Sequence, residues 1–104
     1  MGRSGMLAPV MPASPRTGWT FLTNHAAVLV CIDRNPGTRM DDIASEVGIS
    51  RRAAQMIVSD LAEAGYIERT RVGRRNHYRI RDDMPLRRTA FKDSDIRTLL
   101  TLLR

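Results

Sequence analysis

A chain of 104 residues with 42% hydrophobic content has room for one small core and little else, which speaks against a catalytic domain beside a binding module. Seventeen basic against eleven acidic residues give a net charge of +6 and a pI near 11.0, a balance that suits a polyanionic partner better than an acidic or neutral one. Sixteen of the basic residues are Arg, whose forked donors engage phosphates and guanine edges two at a time, although a GC-rich genome produces the same bias.

Residues 1–17 carry Gly, Pro and Ser but lack the apolar run of a secretory signal, and they are expected to form a flexible tail. No stretch of the sequence approaches transmembrane length, so no membrane partner is expected. Trp19, Phe21 and Leu22 are the first concentrated apolar residues. From Asn24 the run HAAVLVCIDRN has helical character, ended by Asn35, Pro36 and Gly37. Ala27, Leu29, Val30, Cys31 and Ile32 leave this helix few polar positions, so it needs cover on more than one side, which a partner subunit could supply.

Thr38 and Asp41 form a T-x-x-D arrangement that predicts a capped second helix starting near Arg39. Ile43, Ala44 and Val47 give it one apolar stripe. Gly48 can take the left-handed conformation that ends a helix, and Ser50 can cap the next one. Two helices joined so tightly must cross steeply, which makes the small size of Ala44 at the crossing matter. In the third helix Ala54, Ile57, Val58 and Leu61 recur at three- and four-residue steps, and Gly65 is placed to stop it. Its outward positions are Arg51, Arg52, Gln55, Met56 and Ser59. Basic charge at a helix start opposes the macrodipole unless an anion lies in front of it.

Tyr66–Val72 and His77–Ile80 read as two short strands around GRRN, with Ile67 and Tyr78 or Ile80 as inward residues. Arg69, Arg71, Arg74, Arg75, Arg79 and Arg81 crowd into this hairpin. Residues 51–81 hold eight Arg against Asp60, Glu63 and Glu68, a net of +5, so most of the excess charge lies here. Phosphates would neutralise it. The plainer reading is a strand edge kept from pairing by its charge, which explains scattered basic residues better than a concentrated stripe.

Pro85 breaks the chain, and Asp93 or Ser94 can cap a last segment, DIRTLLTLLR. So short a helix is marginal alone. Its leucines need either the first helix of the same chain or the equivalent segment of another subunit. The second is favoured, which makes Ile96, Leu99, Leu100 and Leu103 the dimerisation candidates. The organisation expected is a tail over 1–17, a domain over 18–84, and a linker with helix over 85–104.

The order of helix, helix, turn, outward helix and basic hairpin over residues 20–82 resembles winged helix-turn-helix transcriptional regulators of the broad MarR and ArsR type. The phrase DIASEVGISRRAAQMIVSDLAEAGYIERTRVGRRNHYRI is particularly similar to small regulators of this kind in bacteria and archaea. The resemblance implies a mainly α fold with a small β-hairpin and a C-terminal helix. It puts Ser50, Arg51, Arg52, Gln55 and Met56 where such families contact bases and nearby phosphates, and Arg74 and Arg75 at the wing tip. Arg69, Arg71, Asn76, His77 and Arg79 complete the wing candidates for backbone contact. Ala54 stands where a β-branched core residue is more usual. The chain is shorter than many ligand-responsive relatives, so control by a small molecule does not follow.

The function expected is sequence-specific binding of double-stranded DNA by a homodimeric regulator. Residues 50–64 would enter the major groove, and residues 66–81 would follow flanking phosphates or the minor groove. Its rivals are a protein-binding winged-helix adaptor and a nonspecific chromosome-organising protein. No catalytic residue, cofactor or metal is expected. Asp41, Asp42 and Glu46 are accounted for by helix-start electrostatics and solvent exposure, and neither His25 nor His77 has metal-ligand spacing. The single Cys31 fits core packing and a reducing cytoplasm, and the resemblance implies a prokaryotic one, with the protein in association with the nucleoid.

Overall fold

In the computed structural model, which describes residues 18–104, Thr23 opens helix α1 (Asn24–Arg34) by accepting a hydrogen bond from the Ala26 amide at 3.1 Å. The tail expected over residues 1–17 lies outside the described residues. Helix α2 (Met40–Val47) begins without the expected Thr38 cap. Thr38 is buried, with 6% of its surface exposed, and its amide donates to the Asn35 carbonyl at 2.9 Å. It is part of the turn that leaves α1, one position too early to cap α2. Arg39 takes the cap position and supplies no side-chain bond, while Asp41 and Asp42 occupy the first turn, where the helix dipole favours them.

The joint between α2 and helix α3 (Arg51–Glu63) follows from its local residues. Gly48 has φ +81°, and its amide and that of Ile49 both return to the Ala44 carbonyl, at 2.9 and 3.0 Å. Ser50 Oγ then accepts from the Ala53 amide at 3.0 Å. Gly65, at φ +84°, ends the helix and lets the Tyr66 amide reach the Leu61 carbonyl at 2.8 Å.

Strands β1 (Ile67–Val72) and β2 (Arg75–Ile80) form an antiparallel ribbon in which Ile67 faces Ile80 and Val72 faces Arg75. The turn is therefore only Gly73 and Arg74, with Gly73 at φ +63°, a position where a two-residue hairpin favours Gly. Arg75 and Asn76, expected in a four-residue loop, belong to β2 instead. The Tyr78 amide donates to the Pro36 carbonyl at 2.9 Å, so the α1–α2 link ties down the outer edge of the ribbon.

The core is Val28, Leu29 and Ile32 of α1, Ile43 and Ala44 of α2, and Ala54, Ile57, Val58 and Leu61 of α3. Tyr66, Ile67 and Tyr78 close it from the ribbon side. Helix α1 packs on α2, α3, β2 and on a last helix, α4 (Ile96–Leu103), so its cover on several sides comes from its own chain. Two expectations about α4 are corrected. Asp95, not Asp93 or Ser94, caps it by accepting from both the amide and the hydroxyl of Thr98 at 3.0 Å. Those bonds hold its carboxyl below the usual carboxylate range. Ile96 and Leu100, assigned above to a subunit interface, are buried in the chain's own core with 4% and 1% of their surface exposed.

Polar contacts fasten the same helix. Arg97 makes two hydrogen bonds to the Asp82 carboxylate, at 3.2 and 3.0 Å, and Arg104 makes two to Asp33, both at 2.9 Å. Pro85 and Asp95 form a bridge between the chain leaving the ribbon and the chain entering α4. Thus residues 85–104 fold back onto the body instead of extending from it. The result is a winged helix-turn-helix with a C-terminal helix added.

Cys31 is buried, and desolvation, followed by its hydrogen bond to Glu46, pushes its thiol up to about 11. At pH 8 such a thiol holds roughly a hundredfold less thiolate than an unperturbed one. Iodoacetamide should therefore modify Cys31 at least tenfold more slowly in the folded protein than in urea. Equal rates in the two states would contradict the burial.

Candidate nucleic-acid interface

Because α3 buries Ala54, Ile57, Val58 and Leu61, its opposite face carries Arg51, Arg52, Gln55 and Met56 outward, all of them exposed. Ser50 is also exposed, but its oxygen is engaged as the helix cap. Met56, with 62% of its surface exposed, is the only large apolar side chain on this face.

The ribbon brings its tip alongside the start of α3. Between them and the start of α2 lies a cleft of about 480 Å³, lined by Arg39, Arg51, Arg74, Arg75 and Asn76, with Tyr78 at its floor. Four arginines from three parts of the fold thus line one opening, and Asp41 is the single carboxylate among its lining residues. Arg51 Nη1 stands 3.0 Å from Asp41 Oδ1, and Arg75 donates to the Gly37 carbonyl at 2.9 Å. Arg39 and Arg74 make no ion pair or side-chain hydrogen bond among the described residues, and the same is true of Arg52, Arg69 and Arg71.

The remaining wing residues do not form the single stripe that their crowding suggested. Residues opposite each other in an antiparallel pair share a face. The register therefore puts Arg69, Arg71 and Asn76 on the side that carries Ile67 and Tyr78, and Arg75, His77 and Arg79 on the other. Arg79 lies opposite Glu68 and is paired with it at 3.1 Å, so part of its charge is answered within the ribbon. Of the ribbon's arginines, Arg74 of the turn and Arg75 line the cleft together with Arg51 of α3, while Arg69, Arg71 and Arg79 are not among its lining residues.

Sequence reasoning missed Arg39. It lies twelve residues before Arg51 and thirty-five before Arg74, and no spacing signal links the three. The local clue was the basic residue at the start of a helix, an arrangement unfavourable to the dipole unless an anion sits there.

A model of the MarR family matches residues 19–75, from the segment before α1 through the turn of the wing. The chain belongs to the MarR family. Among solved structures, its fold matches that of the PcaV transcriptional regulator from Streptomyces coelicolor in complex with its natural ligand. The TM-score is 0.51 at 28% identity, over 59% of this chain and 45% of that one. The chain thus corresponds to less than half of PcaV. No curated protein sequence matches the chain. The MarR-family match takes in Arg39, all five candidate residues of α3 from Ser50 to Met56, and Arg74 and Arg75; β2 beyond Arg75 and all of α4 lie outside it.

A second opening of this MarR-family fold, about 640 Å³, is bounded by α1, the end of α3 and the chain after the wing. His25, Leu29, Asp60, Tyr66, Leu86 and Arg87 line it. His25 Nε2 and Asp60 Oδ2 are 2.9 Å apart at its edge. No group of three His, Cys, Asp or Glu among the described residues could hold a metal ion, and no helix there is long and apolar enough to cross a membrane.

Proposed function

We propose that this MarR-family chain is a transcriptional regulator that binds double-stranded DNA, with the outward face of α3 in the major groove and the wing tip against the flanking backbone. The observation that carries the reading is the arginine-lined cleft between α2, α3 and the wing, which adjoins the face bearing Arg52, Gln55 and Met56. Arg and Gln are the side chains that pair bidentately with guanine and adenine edges. Guanidinium groups around a concave opening suit phosphates, which fix register without reading sequence. The description of PcaV as a transcriptional regulator agrees with this reading.

A homodimer completes it. Two copies present two α3 helices to successive major grooves, with half-sites about one helical turn, ~34 Å, apart. With Ile96 and Leu100 committed to the chain's own core, Leu99 and Leu103 are the leucines of α4 that remain for a subunit contact from those first considered. The protein acts in the cytoplasm, on chromosomal DNA, by occupying its sites.

Selection of bound fragments from a random duplex pool tests both halves of the reading. A two-fold symmetric motif is the expected result. Enrichment without a motif would favour a nonspecific chromosome-organising protein, and no enrichment at low salt would favour a protein-binding adaptor.

A further inference from the structure

The cleft described above contains its own anion. Of the charged side chains that line it, four are arginines and one, Asp41, is a carboxylate, and Asp41 contacts Arg51 at 3.0 Å. Both partners are largely exposed, at 61% for the Arg51 side chain and 71% for Asp41, so the pair is open to exchange with solvent ions. Asp41 stands in the first turn of α2, where the helix dipole suits a carboxylate, and Asp42 beside it satisfies the same preference without any ion pair among the described residues. The dipole therefore accounts for an acid in this turn but not for its contact with the leading arginine of α3.

We propose that Asp41 is an internal rival of the DNA backbone: its carboxylate occupies Arg51 in the unbound protein and must be displaced before Arg51 can contact a phosphate. The proposal rests on the DNA-binding reading and adds to it a restraint on affinity. As long as Asp41 holds it, Arg51 releases no counterion from the DNA, so in the native protein it adds little to the salt dependence of binding. Arg39 and Arg74, which have no side-chain partner among the described residues, are not so restrained. An exposed ion pair is weak, so the restraint is shallow: it lowers affinity for any duplex by a small factor and leaves binding reversible.

The substitution Asp41→Asn keeps the shape of the side chain and removes its charge. Binding to a 20-base-pair duplex of arbitrary sequence is measured over a series of salt concentrations. The D41N variant should bind about threefold to fivefold more tightly at low salt, and its plot of log affinity against log salt should steepen by about one, the contribution of one additional phosphate contact. Two further comparisons separate this exchange from a general loss of negative charge. In an Arg51→Ala background, adding D41N should leave the slope where R51A alone puts it. Asp42→Asn, which removes a neighbouring charge with no arginine attached, should leave the slope unchanged.

A D41N slope equal to that of the native protein would overturn the proposal while leaving the DNA reading intact. So would an equal steepening by D42N, or a D41N effect that persists without Arg51. Failure of the native protein and every variant to bind duplex DNA would overturn the DNA reading itself, and this proposal with it.

Discussion

Replacing Arg39, Arg74 and Arg75 together with Ala should lower affinity for duplex DNA on the order of a hundredfold at moderate salt, and by similar factors for unrelated sequences. All three side chains line one cleft, and none lies on the outward face of α3 that carries Arg52, Gln55 and Met56. A guanidinium on a phosphate releases about one counterion, so the plot of log affinity against log salt should flatten by roughly 0.9 for each residue, a total on the order of 2 to 3. Folding should change little, because these residues are exposed and the one bond lost is that from Arg75 to the Gly37 carbonyl. Replacing Arg52 or Gln55 should act differently. It should cost about 1 to 3 kcal/mol on a preferred site and much less on random duplex, since base contacts discriminate and phosphate contacts do not. An unchanged slope in the triple variant would remove the cleft from the binding mechanism.

The second large effect concerns stability. Leu100→Ala should destabilise the protein by about 2 to 5 kcal/mol, the range for emptying a buried leucine site. A domain of this size has only about 5 to 15 kcal/mol in total, so a substantial drop in melting temperature follows. Leu100 is 1% exposed and packs with α1 beneath the helix tethered by Arg97–Asp82 and Arg104–Asp33. The loss should therefore be the same at low and high protein concentration. Leu102→Ala, at a position 78% exposed, should shift stability by no more than about half a kcal/mol. A Leu100→Ala defect that vanished as concentration rose would return that residue to the subunit interface from which the structure removes it.

These two substitutions also mark what could and could not be read in the chain. The helix-turn-helix was legible because its determinants are local. Gly48 supplies the left-handed residue, Ser50 the cap and Gly65 the stop, and the apolar steps from Ala54 to Leu61 define which side of α3 faces in. That same periodicity exposed Arg51, Arg52, Gln55 and Met56 by difference.

What failed was decided by tertiary contact. Thr38 has the composition of a cap, but its burial in the turn after α1 leaves Arg39 in the cap position. The GRRN run reads as a loop, yet pairing of Val72 with Arg75 shortens the turn to two residues and alternates the arginines between faces. Leucines at helical spacing in α4 signal a buried face without saying what buries it. The answer depends on Asp82 and Asp33, whose partners Arg97 and Arg104 lie fifteen and seventy-one residues away. The meeting of Arg39 with Arg51 and Arg74 is of the same kind, since only the fold puts those distant positions around one cleft.

Which side of the molecule touches DNA is measured directly by a titration of the isotope-labelled protein with a short duplex, followed by amide and arginine side-chain resonances. Resonances of Arg39, Arg51, Arg52, Gln55, Arg74 and Arg75 should move in proportion to bound duplex, while those of His25, Asp60 and Arg87, around the second opening, stay in place. Shifts confined to the His25 and Arg87 side, with the arginine cleft unaffected, would contradict DNA binding through that cleft and the outward face of α3.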